Sequence, residues 1–208
     1  MQSNCIQMVN FRQQNKNGEK FMATDTQAKL TIESQLRELY GRAVWTHKTQ
    51  EKCADILRAR NHNMKILQII LSALTTTGIL VTVFGENYVV GIISAVLSAI
   101  LFTLNAYFQK YDLGEIAQKH SESASDIWNV REKYLSLLTD LNSEVLGVEE
   151  IGKKRDELQS ELFNIYKGAP RTLSKAYKKA TESLQLNEEL TFSADEINNL
   201  LPKELRRE

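Results

Sequence analysis

Two uncharged apolar runs, Ile66 to Phe84 and Tyr88 to Phe108, restrict this chain more than any other feature. The first holds nineteen residues and the second twenty-one. At a rise of about 1.5 Å per residue each makes a helix of roughly 30 Å, the thickness of a bilayer's hydrocarbon core. Only Gly85, Glu86 and Asn87 separate them, so the pair must turn tightly. The expectation is an all-α integral membrane protein, a two-helix transmembrane hairpin continuing into a cytoplasmic helical stalk or bundle.

Whole-chain averages conceal this, with a mean hydropathy of −0.34 and 25% charged residues. Most of the chain is polar and lies outside the hairpin. The formal net charge is zero, which gives no reason to expect direct nucleic-acid binding. Lys52, Arg58, Arg60 and Lys65 precede the first run, Lys110 and Lys119 follow the second, and the turn has no basic residue. The positive-inside rule then places both termini in the cytoplasm. Residues 1–25 lack the apolar core of a signal peptide and read as a disordered tail. Cys5 and Cys53, on the reducing side and without metal-ligand spacing, read as free thiols.

Outside the runs everything is helical in pattern. Residues 26–63 form a cytoplasmic helix marked by Ile32, Leu36, Leu39 and Ala43, which runs without a breaker toward the hairpin at 64–108. Its stretch from Thr46 to Glu51 is too polar for a continuous apolar stripe. Residues 109–186 form the stalk and an extension. Ala117, Ala124, Ile127, Tyr134, Leu138 and Leu141 step along one face, which predicts that the second span continues as one helix to about Val145. A further helix fits Glu149 to Lys167, another Leu173 to Leu186, and 187–208 form a tail with a short helix opened by a Ser193/Glu196 capping box.

No arrangement for catalysis emerges. A phosphate-cradling glycine loop, paired metal ligands and a nucleophile elbow are all missing, and neither a cofactor nor an enzyme is expected. The spans are more informative. Gly91, Ala95 and Ala99 recur every four residues, with Ser94 beside them, a face that lets helix backbones approach closely. It can serve the hairpin itself or contacts between copies. Gln68, Ser72, Thr75 and Thr82 in the first span, and Ser98 and Asn105 in the second, form polar strips that turn away from lipid. In a ring of hairpins these strips could line a water-filled path, although Ser and Thr hydroxyls also bond their own helix carbonyls. No Asp, Glu, Lys, Arg or His lies within either run, which argues against a proton-driven pump or a voltage sensor. On the stalk, His120 and Arg131 fall on the apolar stripe and need partners, such as Glu or Gln on a facing helix. They read as a polar clasp setting register or as part of a switch.

One combination of residues has a relative. The two-span hairpin is preceded by Leu39-Tyr40-Gly41-Arg42-Ala43 and followed by Ala117-Gln118-Lys119-His120, with Ala124 and Arg131 behind, and so resembles the SLATT domain. Ile165 to Arg171, leading into Lys175-Ala176-Tyr177, resembles the C-terminal extension of one branch of that family. The resemblance implies a bacterial inner-membrane effector of antiphage conflict systems, associated with nucleotide-synthesising or nucleotide-sensing partners. On this reading it forms homo-oligomers that permeabilise or depolarise the membrane and arrest or kill the cell. The competing reading from the residues is a membrane-anchored helical adaptor that recruits a cytoplasmic partner without forming a pore.

Overall fold

A computed structural model describes residues 26–85 and 87–206. The predicted tail at 1–25 lies outside the described residues. Among those described there is no strand, and the chain is all-α. Helix α1 is described over Thr26–Gly85, sixty residues with no proline to interrupt the backbone ladder. Helix α2 spans Tyr88–Lys110, α3 Leu113–Asn142, α4 Val148–Gly168, α5 Ser174–Thr181 and α6 Ala194–Leu200. A π turn at Glu182–Leu186 extends α5, and a short 3₁₀ turn occupies Lys203–Leu205.

The predicted continuation of the second span into the stalk is interrupted. The helix stops at Lys110, and Asp112 starts a new one by accepting the backbone N–H groups of Gly114 at 2.7 Å and Glu115 at 3.1 Å. Its carboxylate satisfies donors that a first helical turn cannot satisfy internally, so α3 begins there.

The chain divides into two compact units. One comprises residues 26–47 with Ser123–Ala169. Its core is a single cluster: Leu36 and Ala43 of α1, Ile127, Val130 and Tyr134 of α3, and Ile151 and Leu162 of α4. The side chains recur at three- and four-residue steps, the period that keeps one face of each helix inward. Ion pairs close its rim, Lys29 to Glu144 at 2.8 Å and Lys133 to Glu161 at 2.7 Å. Between α3 and α4 the backbone reverses at Glu144, whose φ of 55° is left-handed. The Val145 N–H bonds the Asp140 carbonyl at 3.2 Å, closing the helix in the manner usually reserved for glycine.

The other unit comprises Lys48–Glu122 with 170–206. It contains the apolar hairpin. Asn87 caps α2 through a bond from the Val90 N–H, and Thr75 and Ser94 are buried in the seam between the two arms. The most apolar stretches of α1 and α2 are only 6% buried, with Ile69 68% and Phe102 75% exposed. A core helix of a water-soluble protein would be mostly covered. Two helices of this length and apolarity, left bare, belong in a bilayer.

Candidate functional site

The hairpin seam is built on close backbone approach. Gly78 faces Ser94, and Gly91 faces Thr82, at positions where a Cβ on either glycine would press into the opposite side chain. Gly91 and Ser94 therefore pack within one chain, whereas Ala95 and Ala99 of the same four-residue repeat are exposed. Gly78 escaped the sequence reading, although Gly78 and Thr82 make the same small-residue spacing in the first span that Gly91 and Ala95 make in the second.

Thr75 and Thr82 also turn into the seam. Each hydroxyl bonds its own helix, Thr75 to the Leu71 carbonyl and Thr82 to the Gly78 carbonyl, both at 2.8 Å. Gln68, Ser72 and Asn105 go elsewhere. They line one groove of about 750 Å³ on a flank of the hairpin, together with Lys65 and Thr76 and with apolar walls from Ile69 and Leu101. Across it the Gln68 Nε2 donates to the Asn105 Oδ1 at 2.9 Å. The pair leaves the Gln68 oxygen and the Asn105 amino group for other partners. Thr76 gives its proton to the Ser72 carbonyl at 2.9 Å. Ser98 is exposed but does not line the groove. Lys65, one residue ahead of the first apolar run, was read in sequence only as a topology signal, yet it lines the same groove.

A second polar assembly lies in the same unit. Lys48, Thr49 and Gln50, the stretch too polar for the stripe, are buried. Lys48 pairs with Glu51 at 3.0 Å and with Glu189 at 2.6 Å, and Lys52 lies 3.6 Å from the same Glu189. Burial disfavours the Lys48 charge, but the bonds to Glu189 and Glu51 outweigh it and hold the ammonium above its usual pKa. Lys48 in turn holds the Glu189 carboxyl below the usual range.

His120 is almost fully buried and its Nδ1 bonds the Gln50 Oε1. The other end of that carboxamide reaches the Pro170 carbonyl at 3.5 Å. An amide oxygen cannot donate, so Nδ1 carries the proton and the ring is the Nδ1–H tautomer. Burial disfavours the imidazolium and lowers its pKa. Cys53, buried beside this assembly, accepts the Leu173 N–H at 3.3 Å, and burial pushes its thiol pKa up. Arg131 belongs to the other unit, where its Nε bonds Glu132 on its own helix at 2.9 Å and its guanidinium lies 6.0 Å from the Trp128 ring. His120 thus takes its amide from a distant stretch of chain, and Arg131 takes its carboxylate from the next residue.

The hairpin, the helices that follow it and the start of α6 all fall within residues 32–196, the stretch matched by the family model of the SMODS and SLOG-associating 2TM effector domain family 4. The chain belongs to the SLATT family. No curated protein and no solved structure matches it. As a SLATT protein it carries a two-transmembrane effector domain of conflict systems, and the bare apolar arms of α1 and α2 are long and apolar enough to be its two membrane helices. The matched stretch also takes in Gln50, His120 and Glu189, so the buried polar assembly lies inside the SLATT domain.

Proposed function

We propose that this SLATT protein is an antiphage effector whose copies assemble around a common axis in the bacterial inner membrane and permeabilise it, arresting or killing the cell. Both termini lie in the cytoplasm, residues 26–63 and 109–186 forming its helical part. A sensor or nucleotide-signalling partner supplies the trigger.

The reading rests on one observation. Amide, hydroxyl and ammonium groups of Lys65, Gln68, Ser72, Thr76 and Asn105 share a single groove on helices otherwise bare and apolar. A polar group left facing hydrocarbon without a partner costs several kcal/mol, so such a flank turns to protein or water. Gln68 and Asn105 satisfy only part of each other. In a ring of hairpins the flank faces the axis and water serves the rest. Ala95 and Ala99, small and exposed, allow neighbouring copies to approach.

The test is ion flux from liposomes carrying the purified full chain, with chemical crosslinking in the same membranes. Flux that rises with crosslinked oligomers, and falls for Ala95→Leu with Ala99→Leu, is expected. A protein that stays monomeric and tight when its partner is added acts as an anchor instead.

A further inference from the structure

We propose that the path formed on this groove prefers anions, and that Lys65 sets that preference; the inference rests on the pore reading above. The groove's neutral groups favour neither sign. Asn105 keeps an amino group that can donate, while Thr76, its proton committed to Ser72, presents oxygen lone pairs. Such dipoles reorient toward either ion. The one formal charge in the lining is the Lys65 ammonium, next to the first apolar residue and therefore at the cytoplasmic end of the path.

The carboxylates Asp55, Asp112 and Glu115, which flank the two spans on that side, all have partners, Glu115 pairing with Lys119 at 2.7 Å. Asp112 spends its Oδ1 on two backbone N–H groups at the start of α3, where the helix's positive end lowers its field. Asp55 lies 3.9 Å from Arg58. A ring of hairpins repeats Lys65 once per copy, and a ring of cations closer together than the Debye length of about 8 Å concentrates anions at the mouth. Chloride and small phosphorylated metabolites are the ligand class this chemistry admits.

The experiment measures reversal potentials under a KCl gradient, with the full chain in planar bilayers of phosphatidylethanolamine and phosphatidylglycerol. Lys65 is exposed, so its variants leave the fold intact. The wild type is expected to reverse on the chloride side, Lys65→Arg to match it, Lys65→Gln to shift toward zero and Lys65→Glu to change sign. A conducting wild type that prefers cations overturns the inference, as does a potential indifferent to Lys65→Glu. A cation preference lost in Glu86→Gln also overturns it, by placing selectivity in the turn. Each of those outcomes leaves the pore standing. A wild type with no conductance removes the pore itself, and the inference with it.

Discussion

A Cβ placed on Gly78 would overlap the Ser94 hydroxyl oxygen and stand 3.2 Å from the Ser94 Cβ. Swinging the hydroxyl aside would break its bond to the Val90 carbonyl at 2.9 Å and would still leave the Ser94 Cβ, fixed to the backbone, in the way. Gly78→Ala should therefore push the two arms apart and cost about 1–3 kcal/mol, the usual penalty of overpacking. Gly78→Ala combined with Ser94→Gly should recover most of it. Thermal unfolding in detergent, with disulfide trapping between cysteines placed across the seam, reads the outcome. An Ala variant as stable as the wild type would show that the seam is looser than this contact implies.

Gln68→Leu and Asn105→Leu should each lower liposome flux while leaving membrane insertion unchanged. The bond they share is worth about 1–2 kcal/mol in model membrane helices and often less, so the fold should survive. Equal flux from the double variant and the wild type would remove the groove from the conducting path.

Burial of His120 makes stability depend on pH in one direction. Its folded pKa lies below the ordinary 6.5, so the unfolded chain takes up a proton that the folded one refuses. This contribution is complete above about pH 6.5 and is lost as the pH falls from there toward the lower folded value. His120→Asn keeps a donor toward Gln50 without titrating. It should flatten the slope of stability below about pH 6.5, measured by denaturant unfolding of the detergent-solubilised chain.

Removing Glu189 leaves buried Lys48 with Glu51 alone. Glu189→Gln should cost about 1–2 kcal/mol, discounted from a fully buried pair because Glu189 is partly exposed. The readout is proteolysis: cleavage after Leu186 should speed up, since Glu189 ties that stretch to α1. Charge reversal with Lys48→Glu and Glu189→Lys should slow it again.

The Tyr134 hydroxyl is buried in its core without a hydrogen-bond partner, and burial pushes its pKa up to about 12. Replacing it costs no bond. Tyr134→Phe should be neutral or stabilising by up to about 1 kcal/mol. A clear loss in Tm would mean that the hydroxyl bonds an internal water.

Local pattern carried a large part of this protein. Two uncharged runs around a three-residue turn are enough for a hairpin of bilayer length, because apolarity and rise per residue are properties of the segment alone. Leu36, Ala43, Ile127 and Tyr134 announce the core by their period, and the Ser193/Glu196 box announces α6 because both its bonds close within four residues. Tertiary structure decided what depends on the rotation of one helix against another. That rotation turns Thr75 and Thr82 into the seam and gathers Gln68, Ser72 and Asn105, with Lys65, on one flank; no single helix's period contains it. It also explains the burial of Lys48 and Gln50, too polar for any stripe, since the groups that receive them, Glu189, His120 and Pro170, arrive from 70 or more residues along the chain.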